Sequence, residues 1–108
     1  MDEIVTILKE LGLPFAYDHF AEGESKDPPF VCFRIPASNN FSADGIPYFE
    51  SYVFDIELYT DKKDRKIEKK LEKLFKKAGI FYSKTEVWIR TERLYEVVYT
   101  FEWGNKDE

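Results

Sequence analysis

Two segments of the chain carry apolar side chains at the spacing of an α-helix, in which every third or fourth residue returns to one face. The clearer one covers residues 63–78. Its predicted apolar stripe comprises Ile67, Leu71, Leu74, Phe75 and Ala78. Thr60 and Asp61 are suited to cap the start of this helix, and Gly79 is suited to end it in the left-handed conformation.

The other helical segment is shorter and opens the sequence. Its apolar face comprises Ile4, Val5, Ile7, Leu8 and Leu11. Asp2 is a suitable N-cap, Gly12 is a suitable residue to follow the last turn, and Pro14 prevents continuation. The pattern therefore predicts a helix that ends just before Gly12.

Alternating apolar and polar side chains predict five β-strands. The predicted ranges are 15–20, 30–35, 48–59, 81–91 and 94–103. In the third strand, Phe54, Ile56 and Leu58 fall on one face, whereas Asp55 and Glu57 fall on the other. One face of the sheet is therefore expected to pack on the core and the other to meet water.

Residues 36–47 are predicted to form a long loop because they are rich in turn-forming Ser, Asn, Asp and Gly. Long ordered loops in small domains are often functional. The loop is therefore a candidate partner interface, through Asn39, Asn40, Phe41 and Asp44. The alternative is a mobile connector between strands.

The element order α-β-β-β-α-β-β predicts an α+β fold. Strands that follow one another along the chain favour an antiparallel meander. Two amphipathic helices can cover its apolar face, which gives a two-layer sandwich with a mostly antiparallel sheet of about four to five strands. Residues 1–103 are expected to form a single domain, and residues 104–108 a polar tail.

Composition supports a folded domain and argues against a membrane span. The chain has 108 residues, of which 44% are apolar and 18% aromatic, whereas disordered chains are poor in aromatic residues. No apolar run approaches the length needed to cross a bilayer, and no signal peptide is expected at the N-terminus. With one cysteine there is no disulfide framework, so the cytoplasm, or a particle assembled there, is the expected location.

The residues that carry most enzyme chemistry are sparse. His19 is the only histidine, and Cys32 lies in an apolar strand pattern typical of an inert buried thiol. No paired cysteines or histidines suggest a metal site, and no glycine-rich loop suggests a phosphate site. Asp55 and Glu57 are explained as solvent-facing residues of a strand. We therefore expect no catalytic residues, no metal and no cofactor.

Charge is distributed unevenly. Residues 62–77 contain nine basic and three acidic side chains and so carry +6, whereas the whole chain carries −5, which leaves −11 on the remainder. Such asymmetry suggests a partner, and the candidate contact residues are Lys66, Lys69, Lys70 and Lys73.

Three interpretations of the basic helix are open. It could bind nucleic acid by neutralising phosphates, although the acidic remainder opposes this. It could be a solvated surface with pairs such as Glu72 and Lys76. It could also face the acidic surface of an identical neighbour in a head-to-tail contact of the kind that closes into rings.

Several stretches resemble a family of small proteins encoded in prophages of Gram-positive bacteria. They are ILKELGLPFAY at residues 7–17, HFAEGES at 19–25, IELYTDKKD at 56–64 and LYEVVYTFE at 94–102. In size and element order this family is similar to the tail-completion, or tail-terminator, proteins of long-tailed phages. The resemblance covers almost the whole chain and implies no catalytic residues.

The resemblance implies a ring, typically a hexamer, that caps the tail tube and joins it to the head. Expected partners are further copies of the chain, the tail tube protein and the head–tail connector proteins, with DNA only passing through the ring. The protein would then be found in the host cytoplasm during assembly and afterwards in the virion neck. Alternative functions are a head-completion or connector subunit, and a nucleic-acid-binding regulator that uses the basic helix.

Overall fold

A computed structural model describes residues 2–20, 26–43 and 46–105 of the chain. In these ranges the elements follow the predicted order α-β-β-β-α-β-β. They are α1 (Asp2–Leu11), β1 (Phe15–Tyr17), β2 (Phe30–Ala43), β3 (Ile46–Thr60), α2 (Arg65–Lys77), β4 (Ser83–Ile89) and β5 (Leu94–Asn105). The α+β class predicted from the sequence is therefore confirmed.

The five strands form one sheet in the order β1-β2-β3-β5-β4. Three of the neighbouring pairs are antiparallel, but β1 runs parallel to β2. The sheet is therefore mixed, and the expected meander is wrong at two points: β1 is parallel to β2, and β3 pairs with β5 rather than with β4. The twelve residues between β1 and β2 are enough for the crossover that a parallel pair needs, whereas a hairpin would need only two.

Both helices cover the same face of the sheet. The sheet contributes Val31, Phe33, Phe54, Ile56, Leu58, Val97, Tyr99 and Phe101 to the core. The helices and the segment after α2 contribute Ile4, Ile7, Leu8, Leu11, Leu71, Phe75 and Ile80. Because every second strand residue enters this core, the intervening side chains are left on the opposite face, as the alternation predicts.

The ends of the helices combine expected and unexpected caps. Gly12 and Gly79 follow the two helices with φ of +87° and +74°, in the left-handed region that glycine adopts without strain. The N-cap of α2 is Asp64, whose side chain accepts a hydrogen bond from the Ile67 amide at 3.1 Å. The predicted N-caps of α2, Thr60 and Asp61, were wrong. They lie four and three residues before Asp64, because β3 continues through Thr60 before the chain turns.

The predicted loop at residues 36–47 is mostly strand. Residues 37–43 of β2 pair with residues 46–53 of β3, and we call this paired extension the hairpin arm. The arm lengthens the molecule to 50 Å against 30 and 22 Å, and the radius of gyration is 15.3 Å, where about 13 Å is usual for this chain length. Turn-forming residues were misleading here, because a paired neighbour satisfies the backbone of Asn and Ser as well as that of Val.

The strands also differ from prediction at the end of the chain. β5 continues to Asn105, and Gly104 pairs with Ser51, so residues 104 and 105 of the expected tail belong to the sheet. Conversely, β4 begins at Ser83 and leaves Phe81 outside the sheet.

Candidate functional site

One edge of α2 is joined to the edge strand β4 by a network of charged side chains. The carboxylate of Glu68, only 5% exposed, accepts from the Nζ atoms of Lys63 at 2.7 Å and Lys84 at 2.9 Å. Lys84 also contacts Glu72 at 2.7 Å, and the Tyr99 hydroxyl donates to the same carboxylate at 2.7 Å. The pair of Glu72 with Lys76, offered as an example under the interpretation of a solvated helix surface, is not formed, because partners on the sheet hold this carboxylate instead.

The network keeps its carboxylates ionised. Burial alone would raise the pKa of Glu68, but hydrogen bonds from Lys63 and Lys84 outweigh it, so the pKa lies below its usual value. The same balance lowers the pKa of Glu72, through Lys84 and Tyr99. Both acids of α2 are thus used inside the molecule.

The outward face of α2 is left with basic side chains. We call these exposed residues the cationic strip: Arg65, Lys66, Lys69, Lys73, Lys76 and Lys77. None of them has a hydrogen bond or an ion pair with another described residue. Because Glu68 and Glu72 are paired with Lys63, Lys84 and Tyr99, neither acid of α2 neutralises the strip. It is therefore an uncompensated positive surface.

Lys70 differs from its neighbours on the helix. Its Nζ donates to the Leu11 carbonyl oxygen at 3.1 Å, at the C-terminal end of α1. A positive charge there is favourable, since the last carbonyls of a helix carry partial negative charge. Of the four predicted contact lysines, Lys66, Lys69 and Lys73 thus lie on the strip, whereas Lys70 connects the two helices.

The sheet face opposite the helices carries four carboxylates on its two central strands. We call them the acidic face: Asp55, Glu57, Glu96 and Glu102. Arg34 lies beside two of them, at 3.5 Å from Asp55 and 3.4 Å from Glu57. The side chains of Asp55 and Glu57 are 15% and 14% exposed, so they lie against the sheet rather than extending into solvent.

Hydroxyl groups hold these carboxylates in place. Thr100 donates to Asp55 at 2.7 Å, and Ser51 donates to Glu102 at 3.0 Å. The Tyr59 hydroxyl lies 3.1 Å from a Glu57 oxygen and 2.6 Å from a Glu96 oxygen, and so bridges the two strands. Each member of the acidic face therefore has a hydrogen-bond donor beside it.

Desolvation dominates the titration of this face. Burial raises the pKa of Glu57, and the like charge of Glu96 adds to the effect against the lowering influence of Tyr59 and Arg34. Burial and the neighbouring carboxylates also raise the pKa of Tyr59. On the same face, burial raises the pKa of the Cys32 thiol to about 11, so the thiol is neutral at pH 7.

The predicted loop residues lie away from the strip. The backbones of Asn39, Asn40 and Phe41 belong to the hairpin arm, where they pair with residues 51, 50 and 49. Asp44 lies outside the described residues. The two sets of candidates therefore occupy different parts of the molecule, one on the sheet arm and one on the helix layer.

The sequence matches no known protein-family model, and no curated protein is similar enough to it to count as a relative. None of the helices in the described ranges is long and apolar enough to cross a membrane. Within those ranges, no three His, Cys, Asp or Glu side chains are grouped so that they could hold a metal ion.

One exposed aromatic residue escaped the sequence interpretation. Phe81 follows α2 and is 93% exposed, whereas Ile80 before it is buried and Tyr82 after it is half-buried. It stands between two hollows. One is lined by Lys69, Lys73 and Lys76 of the strip, and the other reaches Glu102 of the acidic face. All three residues are apolar or aromatic, so no polar–apolar alternation in the sequence identifies the outward ring.

Proposed function

We propose that this chain is a structural subunit of a phage virion, a ring-forming tail terminator at the neck between head and tail. It acts by binding further copies of itself and the tail tube protein, and it performs no chemistry. The proposal is supported by the sequence resemblance to small prophage proteins, by the element order, and by the separation of charge on the folded chain.

The separation of charge carries the proposal. The cationic strip faces outward from the helix layer, and the acidic face lies on the opposite side of the sheet. Subunits that meet head to tail can therefore bring unlike charges together at every contact. Contacts of this type are heterologous, and they close into a ring when the rotation between subunits permits it.

The hairpin arm is a second surface for assembly. Its strands reach past β1, the short strand beside β2. Backbone groups of an outer strand can pair with an added strand, and such pairing is a common mode of protein recognition. We assign the arm, with Asn39, Asn40 and Phe41, to the contact with the tail tube or with a neighbouring subunit.

The net charge fits a ring through which DNA passes. Each subunit carries −5, the same sign as the phosphate backbone. Like charge opposes tight binding and lets DNA slide through the ring. The protein would be present in the host cytoplasm during assembly and in the virion neck afterwards.

Co-assembly tests the proposal. Purified protein is mixed with tail tubes and, separately, with portal–connector complexes, and bound protein is measured by sedimentation. A terminator binds tube ends, whereas a head-completion or connector subunit binds the portal complex. Binding to neither would contradict a role in the neck. A monomer in dilute solution would not, because a modest interface can fail to offset the cost of association until a template is present.

A nucleic-acid-binding regulator is the second candidate, and the uninterrupted cationic strip favours it. Its test is a titration with duplex and single-stranded DNA at several salt concentrations. Phosphate contacts by the strip would give an affinity that falls steeply with salt, and Lys69→Glu/Lys73→Glu would reduce the slope by about two. Salt-dependent DNA binding without attachment to phage particles would replace the neck proposal.

A further inference from the structure

We propose that Phe81, flanked by Lys69, Lys73 and Lys76, is the anchor of a docking surface for the acidic face of a second copy of this chain. The inference rests on the proposed assembly function, since it names the two surfaces that meet when copies associate.

The exposure of Phe81 is the first observation. Full exposure of a phenylalanine forgoes the burial that drives folding. The neighbours on either side are drawn inward, Ile80 into the core and Tyr82 against Phe75 and Tyr99 at ring distances of 5.5 and 5.1 Å. Phe81 is therefore held at the surface by the packing of its neighbours. Aromatic side chains surrounded by charged rims are the usual anchors of protein interfaces.

The backbone before Phe81 fixes where its side chain leaves the main chain. Gly79 donates to the Lys76 carbonyl oxygen at 3.0 Å, and Ile80 donates to the Phe75 carbonyl oxygen at 2.9 Å. These two bonds and the positive φ of Gly79 form a Schellman motif, which ends α2 in a defined geometry. Because the main chain is already ordered here, a partner that covers Phe81 does not have to order a loop.

Charge complementarity identifies the partner. Three lysines line the hollow on one side of Phe81, and Glu72 in the same hollow is already engaged by Lys84 and Tyr99. The acidic face supplies fixed carboxylates, with half-buried Val53 and Val98 among them to meet an aromatic ring. A phosphate backbone offers no apolar surface to cover the ring, whereas the acidic face offers valines beside its carboxylates. A second copy therefore fits better than nucleic acid.

Two blocked variants test the pairing. The donor-blocked variant is Lys69→Glu/Lys73→Glu/Phe81→Asp, and the acceptor-blocked variant is Glu57→Gln/Glu96→Lys, at positions that line neither hollow beside Phe81. The ¹⁵N-labelled acceptor-blocked protein, which keeps its donor surface, receives unlabelled donor-blocked protein up to about millimolar concentration. Amide shifts are expected to change in residues 65–82, and with the labels exchanged they should change on strands β3 and β5.

The two proteins together should stop at a 1:1 complex in sedimentation, since each retains one working surface. Absence of shift changes would overturn the proposal, and so would equal changes when the added protein carries both sets of substitutions. If the Phe81 surface of one copy instead met the Phe81 surface of the other, the mixture would not associate, because one protein carries Phe81→Asp. That result would also overturn the proposal. Shift changes produced by a DNA oligonucleotide but not by the second variant would have the same consequence.

Phe81→Ala alone separates the anchor from the charges. Because the side chain is exposed, folding should be unaffected. The variant should bind the acceptor surface at least about tenfold more weakly, as expected for an interface hot spot. Unchanged affinity would remove Phe81 from the contact. Specific pairing without binding to tail tubes or portal complexes would contradict the neck role alone, whereas tube binding without this pairing would contradict only the surface assignment.

Discussion

The two charged surfaces of this molecule are built differently. On the acidic face every carboxylate has a hydroxyl or guanidinium donor within 3.5 Å, so its side chains are fixed before any partner arrives. On the cationic strip no side chain has a polar partner among the described residues. The difference makes the acidic face a rigid surface and the cationic strip an adaptable one.

The acidic face is fixed and the cationic strip is not because one lies on paired strands and the other on a helix. Neighbouring strands place side chains on the same face about 5 Å apart, so acids and hydroxyls on β3 and β5 meet in pairs. On a helix the available partners lie one turn away. Here the two acids that could have served the lysines, Glu68 and Glu72, bind Lys63, Lys84 and Tyr99 instead.

The largest effect is expected where α2 meets the core. Leu71→Asp should unfold the domain, because Leu71 is completely buried and an unpaired charge there costs several kcal/mol, on the order of the whole stability. Lys73→Asp, on the strip, is the matched control and should stay folded. Circular dichroism and thermal melting measure both. A folded Leu71→Asp protein would mean that the inward and outward faces of α2 are assigned wrongly.

The network between α2 and β4 should have the next largest effect. Glu68→Gln/Glu72→Gln should lower the free energy of unfolding by about 2–3 kcal/mol at pH 7, since hydrogen bonds to charged groups contribute about 1.5–3 kcal/mol. Glu10→Gln/Glu92→Gln changes the net charge equally at exposed positions and should have little effect. Urea denaturation measures the difference.

The same network predicts how stability depends on pH. Both carboxylates have a lowered pKa in the folded state, so they bind protons less readily there than in the unfolded chain. Their contribution is complete above the ordinary glutamate pKa and is lost as the pH falls through the lowered values. The wild type should lose stability below about pH 4.5, and the double Gln variant should lose less. Parallel curves for the two proteins would contradict this assignment.

Local pattern was enough to predict most of the fold. The apolar period of residues 63–78 identified α2, and alternation in residues 48–59 identified β3, because each element must bury one face. The parallel pairing of β1 was not predictable in this way, since periodicity within a strand does not report the direction of its neighbour. The hairpin arm was missed because the strands there satisfy each other's backbone, which side-chain composition does not report.

The candidate surfaces were predictable to a lesser degree. The charge count led to Lys66, Lys69 and Lys73 of the strip, since three acids cannot compensate the nine basic residues of the 62–77 segment. The special position of Lys70 was not visible, because Leu11 lies 59 residues away in sequence. Phe81 was missed because residues 81–91 were interpreted as one strand. Only the end of α2 and the late start of β4 place its ring outside.

A variant of Lys70 tests the two faces of α2 with a smaller expected change in the free energy of unfolding. Lys70→Glu should lower the free energy of unfolding by about 1–2 kcal/mol, because it removes a bond to the Leu11 carbonyl and puts a negative charge at the C-terminus of α1. Lys73→Glu should change it by no more than about 0.5 kcal/mol. Chemical denaturation of both variants measures the contrast, and equal values would place Lys70 on the strip. Variants made to test the subunit contact should therefore keep the native lysine at position 70.

The smallest change in stability is expected on the acidic face. Its dependence on pH is opposite in sign to that of Glu68 and Glu72. Burial, with the charge of Glu96, raises the pKa of Glu57, so the folded protein binds this proton more tightly than the unfolded chain does. Stability is therefore lost as the pH rises from the ordinary glutamate pKa through the raised value.

Glu57→Gln removes this cost and should raise the free energy of unfolding at pH 7 by less than about 1 kcal/mol. Asp55 still pairs with Arg34 in the variant. Urea denaturation at pH 4 and pH 7 measures the effect, and the gain should be present at pH 7 and smaller at pH 4. A loss of stability at pH 7 would mean that the charge on Glu57 is favourable in the isolated subunit. The acidic face would then be a self-contained network with no need of a cationic neighbour.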